Sequence, residues 1–316
     1  MAPVVLFIYN RPSHTQQTLE ALSANTLAAE SELFIYADGP KDNATPDQLE
    51  RIKQTRDIAR SKKWCKSVTI IESEKNKGLA NSIISGVTEI VNKYGKIIVL
   101  EDDIVTGKYF LEFMNTALDK YVNEKKVWHI TGYRYPVSKK KKGSYFYPVM
   151  DCWGWATWSN RWCYFKKDAL YYKSTFTEKM IRSFNMDGVD SDKWAQIEAN
   201  ISGKINTWAI FWGASIFEQK GLCLGPYVSL VKNIGLDNSG EHCKSDERNL
   251  QNNIDLDNIR ITKFPKAATV NKSEYRKNKQ YIVLHRLTLV SIVGKLLPEF
   301  IKVPLRKILK IGCFHK

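Results

Sequence analysis

The stretch that decides the fold runs from residue 97 to residue 103 and reads Ile-Ile-Val-Leu-Glu-Asp-Asp. Four consecutive branched apolar residues are typical of a strand that is buried on both faces of a parallel sheet. Three adjacent carboxylates repel one another unless a cation or positive side chains offset their charge. The stretch therefore predicts a site for Mg²⁺ or Mn²⁺ at the end of a strand, and a solvated acidic turn is the alternative.

The residues before this stretch alternate short apolar runs with helical patterns. The runs at 4–9, 33–37 and 68–71 predict three more strands, and the segments 13–29, 45–60 and 79–94 predict the intervening helices. Thr45, Pro46 and Gln48 form a helix-start signal with a capping box. The order βαβαβαβ predicts an α/β fold with a doubly wound, mostly parallel sheet flanked by helices. No GxGxxG motif follows the first strand, which disfavours a dinucleotide-binding oxidoreductase.

Composition and charge limit the class of protein. A chain of 316 residues with 43% hydrophobic content can bury a large core. The first ten residues read as a strand and not as a leader peptide, so we expect a cytoplasmic protein. The six cysteines lack CxxC spacing, which disfavours a zinc site. The formal net charge of +15 predicts an acidic partner: nucleic acid, anionic lipid or a phosphorylated substrate.

Two features of the second half carry information about ligands. Seven of the nine tryptophans lie between Trp153 and Trp212. Indole rings stack on sugar rings as well as fill a core, and we expect most of these to pack in the core. The lysine run at 139–142 lacks interleaved aromatic residues, so a solvated loop is favoured over a nucleic-acid element.

Six short motifs then suggest a family. They are Asn-Arg-Pro at 10–12, Ala-Asp-Gly-Pro at 37–40, Glu-Lys-Asn-Lys-Gly-Leu at 74–79, the acidic triplet at 101–103, Trp-Gly-Trp-Ala-Thr-Trp at 153–158 and Asn-Ile-Gly at 233–235. Together, over most of residues 3–243, they resemble bacterial GT-A glycosyltransferases similar to N-acetylglucosaminyltransferase I. The resemblance implies a GT-A (Rossmann-like) fold, a nucleotide-sugar donor such as a uridine diphosphate sugar, Mn²⁺ or Mg²⁺ as cofactor, and a glycan or glycolipid acceptor.

The resemblance also implies roles for residues of the donor half, residues 1–130. Asp103 would hold the metal, while Asp102 and Glu101 would hold ribose or sugar hydroxyls. Arg11 matches a basic residue near the nucleotide, and Asp38 matches an acid that bonds the base. A salt bridge at the start of the helix is the alternative for Arg11, and an Asp-Gly turn is the alternative for Asp38. One further donor-binding residue is predicted from the third motif, namely Asn76.

An acceptor-binding half is expected at residues 131–265. There the tryptophans predicted to contact the acceptor are Trp153, Trp155 and Trp208. His242 could complete the metal shell or touch a phosphate, although a lone histidine beside an acid is commonly a surface group.

The catalytic base is the point where the chain departs from the family. An inverting transferase needs a carboxylate that takes the proton of the acceptor hydroxyl. The family usually places an aspartate before the tryptophan of a segment similar to 205–208, and this chain has Asn206, whose amide is not a base. Asp237 in a glycine-bounded loop is the first candidate and Asp192 the second; an Asx turn is the alternative for Asp237. Asn206 also leaves open a non-catalytic member of the fold that binds sugar nucleotide or acceptor.

The last segment, residues 266–316, reads as a basic amphipathic tail. From residue 281 to residue 314 it is mainly apolar, with six Lys or Arg and one acidic residue, Glu299. Charges, a glycine and a proline make it a poor spanning helix, so we expect it to lie on an anionic membrane surface, or else to pack on the domain. Together with the tail, the resemblance implies a cytoplasmic, membrane-associated enzyme that transfers a sugar, such as N-acetylglucosamine, to a surface polysaccharide or a lipid-linked oligosaccharide. The net charge also leaves a nucleic-acid-binding protein as an alternative function. For the transferase that we predict, we expect no nucleic acid partner.

Overall fold

The computed structural model describes residues 1–137, 141–237, 256 and 258–286. The first elements in chain order are β1 (Val4–Ile8), α1 (Pro12–Ser23), β2 (Glu32–Ala37), α2 (Pro46–Arg60), β3 (Ser67–Glu72), α3 (Leu79–Tyr94), β4 (Lys96–Glu101), β5 (Ile104–Thr106) and α4 (Phe110–Lys120). The later elements are β6 (Val127–Thr131), β7 (Ser144–Tyr147), β8 (Trp155–Trp158), α5 (Ser159–Trp162), α6 (Ala169–Thr175), α7 (Glu178–Phe184), α8 (Asp192–Ile201), α9 (Ala209–Glu218), β9 (Leu222–Pro226), β10 (Val231–Asn233) and α10 (Lys272–Arg286).

Eight strands form one sheet in the order β3-β2-β1-β4-β8-β6-β9-β7. Strands β3, β2, β1 and β4 are parallel to one another, β6 is parallel to β9, and β8 and β7 run antiparallel to their neighbours. This confirms the predicted α/β class with a mostly parallel sheet flanked by helices. A separate antiparallel ribbon joins β5 to β10.

Alternation along the strands fills a core on each face of the sheet. Val4, Leu6 and Ile8 of β1 belong to one buried cluster, and Val5 and Phe7 belong to another. Since both faces are covered, these strands read as continuous apolar runs. The helices then supply the covering layers.

The helix boundaries follow local signals. The capping box predicted at α2 is present: Thr45 Oγ1 accepts from the Gln48 backbone N–H (3.3 Å) and Gln48 Oε1 accepts from that of Thr45 (3.0 Å). The first helix ends at Ser23, earlier than the predicted residue 29. The buried Asn25 side chain explains this end, because it donates to Thr106 Oγ1 (2.9 Å) and accepts from the backbone N–H of Leu111 (3.0 Å).

The strand order reverses between β1 and β4. From β1 the chain continues outward to β2 and β3, and β4 then pairs with the other side of β1. Open α/β sheets form a crevice at the carboxyl ends of the strands at such a point. The carboxyl ends of β6 and β9 and the amino ends of β8 and β7 lie along the same edge.

The predicted tail begins with α10, which packs on the sheet. Glu274 is 3% exposed and forms an ion pair with the buried Arg134, and the ring of Tyr281 lies 4.9 Å from that of Tyr135. Residues 287–316, which carry most of the tail prediction, lie outside the described part of the chain. In the part that is described, no helix is long and apolar enough to cross a membrane.

Candidate functional site

A crevice opens at the carboxyl ends of β1, β2 and β4. The five residues predicted to bind a donor all line it: Arg11, Asp38, Asn76, Glu101 and Asp102. Behind the crevice, the rings of Phe7 and Tyr36 stack with centroids 5.4 Å apart, and these side chains are only 3% and 9% exposed. The crevice therefore combines an apolar floor of largely buried rings with a charged end.

Arg11 provides the positive charge at the acidic triplet. It precedes α1, and its guanidinium reaches two carboxylates that are 5–6% exposed. Nε donates to Asp102 Oδ2 (3.3 Å), Nη2 donates to Asp103 Oδ2 (3.0 Å), and Nη2 also pairs with Asp102 Oδ1. One guanidinium thus offsets two adjacent carboxylates.

Burial shifts the protonation of this cluster. Burial raises the pKa of Glu101 to about 8, and the charges of Asp103 and Asp102 act in the same direction. Burial also raises the pKa of Asp102 against the opposing effect of Arg11. For Arg11 itself, burial disfavours the charge, but Asp102 and Asp103 outweigh it and raise the pKa of the guanidinium. Glu101 can therefore donate a hydrogen bond near neutral pH, while Arg11 stays charged.

One nitrogen of Arg11 is left without a partner. Nη1 is buried and makes no hydrogen bond with any residue that the structure describes. Gly235 lies against it, since a Cβ at this position would be 2.8 Å from Nη1 and 2.2 Å from Asp103 Oδ2. The loop is fixed there because the Ile234 N–H donates to the Asp103 carbonyl (2.9 Å). A buried donor without an acceptor is costly, so the site favours a ligand that brings an oxygen.

The side chains around the acidic triplet are not arranged as ligands of a divalent cation. In the described ranges no group of three or more His, Cys, Asp or Glu residues is arranged to hold a metal ion. Both Asp102 and Asp103 accept from Arg11, which uses lone pairs that a cation would need. His242 lies outside the described residues. The described residues therefore do not form a preformed metal site, and Asp103 and His242 as ligands stay predictions.

Asp38 and Asn76 hold two loops together at the other end of the crevice. Asp38 Oδ1 accepts from the Lys77 N–H (2.8 Å) and Oδ2 from the Gly78 N–H (3.0 Å). Asn76 Nδ2 donates to the Gly39 carbonyl (2.9 Å). These bonds join the turn after β2 to the loop before α3. Asp38 therefore has a structural task in the turn, and its contact with a base stays a prediction.

The predicted acceptor tryptophans separate by burial. Trp155 is 0% exposed and Trp208 is 4% exposed; their rings stack on each other with centroids 5.2 Å apart. A side chain with that burial presents no face to an acceptor, so both are core residues. Trp153 is half-buried, and its ring contacts Tyr133 with centroids 4.5 Å apart. Trp153 alone of the three remains accessible to a ligand.

The base candidates lie in different places. The Asp237 side chain is 48% exposed, and its Oδ2 is 3.2 Å from Nε2 of His14 in α1. Two residues before Asp237, Gly235 lies against Arg11 and Asp103. This places Asp237 beside the crevice. Asp192 is exposed at the start of α8. Asn206 is also exposed, and its Oδ1 accepts from Lys167 Nζ.

Sequence reasoning missed three residues near the site. Tyr36 and His14 belong to patterns that were interpreted only as strand and helix. Asp151 lies two residues before Trp153, and its Oδ1 accepts from the Trp153 N–H (3.1 Å). Burial raises the pKa of Asp151 to about 6. The only sequence signal for Asp151 is its position directly before the tryptophan-rich motif.

Comparisons with known proteins give weak likenesses. No protein-family model matches the chain, and no curated protein matches it. It is similar to the galactosyltransferase LgtC in complex with donor and acceptor sugar analogues (10% identity, 68% of this chain and 70% of that chain, TM-score 0.37). It is also similar to apo mouse xyloside xylosyltransferase 1 (8% identity, 69% of this chain and 82% of that chain, TM-score 0.37). A third similar structure is S. aureus TarS (13% identity, 45% of this chain and 23% of that chain, TM-score 0.30). The match spans less than a quarter of that TarS chain. These TM-scores are too low to assign a family or an activity.

Proposed function

We propose that the protein is a glycosyltransferase that takes its sugar from a nucleoside diphosphate sugar. The observation that supports this most is Arg11 Nη1, a buried donor without an acceptor among the described residues, at the charged end of the crevice. Guanidinium groups bind phosphate oxygens in a fixed fork. The crevice also lies at the reversal of strand order, where α/β sheets bind nucleotides.

Each residue of the crevice has a role in this proposal. Arg11 binds the diphosphate and stabilises the negative charge that develops on the leaving phosphate. Asp102 accepts hydrogen bonds from ribose or sugar hydroxyls, and Glu101 donates or accepts according to its protonation. Asp38 and Asn76 shape the end of the crevice that receives the base. We propose a uridine diphosphate sugar as donor, with N-acetylglucosamine as the first sugar to test.

The acceptor side is proposed on the resemblance and on position. Trp153 precedes β8 at the same sheet edge, and Trp155 of β8 pairs with Val99 of β4, two residues before Glu101. Asp237 is proposed as the base of an inverting reaction, since it lies beside His14 and the crevice. The proposed acceptor is a surface polysaccharide or a lipid-linked oligosaccharide, and the proposed location is the inner membrane surface. Mn²⁺ or Mg²⁺ is proposed on the resemblance alone.

The deciding experiment is ligand-induced stabilisation of the full chain. Uridine diphosphate and a panel of its sugars are added, with and without Mn²⁺, and the melting temperature is measured. A ligand at about 100 times its dissociation constant adds about 2.7 kcal/mol to the free energy of unfolding. For a chain of this size, that raises the melting temperature by several degrees or less. The shift should disappear in Arg11→Ala and persist in Arg60→Ala, which removes an exposed ion pair with Glu72. No shift with any nucleotide sugar would contradict the proposal.

A second function is favoured by Asn206. Its amide stands where the family usually has a base, and it faces solvent beside Lys167. A non-catalytic protein that binds the sugar nucleotide would explain that residue. Such a protein would show the melting shift but would release no uridine diphosphate over hours with donor, metal and acceptor glycans present.

A further inference from the structure

A second cavity lies on the same edge of the sheet as the crevice but at its far end. It has a volume of about 590 Å³ and is formed by two segments, 141–144 and 262–265, together with Tyr227. We call it the basic groove. Ser144 opens β7 and pairs with Pro226, the last residue of β9, so the groove lies at the carboxyl edge of the sheet.

Backbone hydrogen bonds fix the walls of the basic groove. The Lys263 N–H donates to the Lys142 carbonyl (3.1 Å), and the Ser144 N–H donates to the Lys263 carbonyl (2.9 Å). The Tyr227 N–H donates to the Gly143 carbonyl (2.9 Å). The approach is close at Gly143, where a Cβ would make a tight contact of 3.3 Å with Cδ2 of the Tyr227 ring. Backbone hydrogen bonds thus fix the groove to the sheet edge, while the side chains of Lys141 and Lys142 are exposed.

The charge of the basic groove is not compensated. Lys141, Lys142 and Lys263 line it, and none of them forms an ion pair with a residue in the described ranges. Lys141 Nζ lies 5.2 Å from the ring centre of Tyr227. The described segments 141–147 and 261–272 together contain five Lys and no Asp or Glu. Converging lysines without carboxylates attract an anion.

The crevice and the groove lie a short distance apart on the sheet edge. Three strand spacings separate β4 from β9 in the sheet order, a distance of about 14 Å. Of the rings between them, Trp153 is half-buried, whereas Tyr133 is 2% exposed and Tyr135 packs against Tyr281 of α10. The groove is therefore within reach of an extended glycan whose other end lies in the crevice.

We propose that the basic groove binds the phosphate or carboxylate groups of an acidic glycan acceptor. The choice of a glycan rests on the proposed glycosyltransferase function. A lipid surface is disfavoured because the exposed large apolar side chains in the described ranges, such as Val283 and Leu284, do not line the groove. Single-stranded nucleic acid is disfavoured because it needs several free stacking rings. Of the two rings in the groove lining, Tyr227 has Lys141 over it and Phe264 stacks on Phe113.

The test compares two triple variants of equal charge. The groove variant is Lys141→Ser/Lys142→Ser/Lys263→Ser, and the control is Lys120→Ser/Lys125→Ser/Lys126→Ser. The control lysines are exposed and lie at the opposite edge, between α4 and the start of β6. The probe is a fluorescent oligogalacturonate, which carries one carboxylate per sugar, and binding is measured by anisotropy at low salt. We expect the groove variant to bind roughly tenfold more weakly and the control to bind within about twofold of wild type.

Four results would overturn the proposal. They are no binding of oligogalacturonate by wild type, equal losses in the two variants, equal binding of a neutral dextran oligosaccharide, and a groove-dependent preference for phosphatidylglycerol vesicles or oligo(dT). The melting shift with uridine diphosphate sugars separates this proposal from the proposed function. The groove variant should keep that shift. If wild type lacks the shift but binds oligogalacturonate through the groove, the donor assignment fails and the groove assignment stands.

Discussion

At the scale of single residues, the acidic triplet is a charge cluster organised by one arginine. Asp102 and Asp103 are almost fully buried, and both accept from Arg11. Buried carboxylates are stable only when partners of this kind are present. From the sequence, the negative charge of the triplet requires either a cation or positive side chains to offset it. The structure supplies the positive group from within the chain.

We expect Asp103→Asn to lower turnover by about 10²-fold or more while the fold is kept. The change keeps the shape of the side chain but removes one charge that orients Arg11 towards the proposed diphosphate. Turnover and the urea midpoint are both measured. Asp119→Asn is the control, because it breaks the exposed ion pair with Lys96 at the opposite edge of the sheet. Wild-type turnover in Asp103→Asn would show that the acidic triplet is only a structural turn.

The proposed base is tested by a pair of aspartate variants. Asp237→Asn should lower kcat by about 10²–10⁴-fold and leave the melting shift with donor almost unchanged, because proton removal from the acceptor is separate from donor binding. Asp192→Asn is the internal control at the start of α8. Loss of turnover in Asp192→Asn alone would transfer the role to Asp192. If neither variant lowers kcat and Asn206→Asp raises it, the natural protein is better described as a weakened or non-catalytic form of the proposed transferase.

At the scale of elements, the crevice depends on how closely two loops approach. The turn at 38–40 and the loop at 74–78 are joined by Asp38 and Asn76, and Gly39 lies between them. A Cβ on Gly39 would lie 2.6 Å from the Lys75 carbonyl carbon and 2.7 Å from that of Glu74. These motifs were recognised separately in the sequence, and the paired strands β2 and β3 bring them together.

Gly39→Ala should therefore destabilise the protein and weaken donor binding. Backbone atoms must move apart to admit the methyl group, which costs about 1–3 kcal/mol in the free energy of unfolding. The control is Gly213→Ala in α9, where the new Cβ meets only a Met150 side chain at 3.8 Å. Helix propensity makes that change stabilising by about 0.5–1 kcal/mol. Urea unfolding of both variants checks the contrast, and equal stability of Gly39→Ala and wild type would contradict the close approach.

At the scale of the whole molecule, the cores on the two faces of the sheet hold the edge at which the crevice and the groove lie. His129 of β6 shows how polar groups are accommodated in the core. It is 0% exposed, accepts from Trp212 Nε1 through Nδ1 (3.2 Å), and donates from Nε2 to the Asp151 carbonyl (2.9 Å). Burial lowers the pKa of His129 to about 4. The ring is therefore neutral in the folded protein at pH values where an unfolded chain is protonated.

This pKa predicts a loss of stability in mild acid. The unfolded histidine binds its proton near pH 6.5 and the folded one near pH 4, so the stabilisation is complete above pH 6.5 and is lost as the pH falls towards 4. The loss amounts to about 3 kcal/mol. Asp151, whose pKa burial raises to about 6, acts in the opposite direction. The difference in urea stability between wild type and His129→Gln, measured from pH 7 to pH 4, isolates the histidine. Parallel pH profiles of the two proteins would contradict the prediction.

The segment after α10 predicts a membrane contact. Residues 287–316 contain six Lys or Arg and one acidic residue among apolar side chains. Deleting them should reduce sedimentation with phosphatidylglycerol vesicles and lower transfer to a lipid-linked acceptor more than to a soluble one. The packed helix α10 is kept in this deletion, so the domain should melt as before. Equal vesicle binding by the full chain and the shortened chain would rule out the membrane contact.

The sequence by itself determined the parts of this protein that depend on local pattern. Continuous apolar runs predicted the parallel strands, Thr45 and Gln48 predicted the cap of α2, and the acids after residue 100 predicted a charged strand end. These features depend on neighbours within a few residues, and propensity and hydrophobic periodicity report such neighbours directly.

Only the tertiary structure decided which distant residues meet. Arg11 pairs with acids some ninety positions away, Trp155 is enclosed by His129 and Trp208, and Lys263 closes a groove with Lys142. Each of these contacts depends on the strand order and on the direction of β8 and β7, which no local pattern specifies. Burial of a tryptophan and compensation of a charge are set by packing between elements. For that reason the candidate residues were visible in the sequence, while their partners were not.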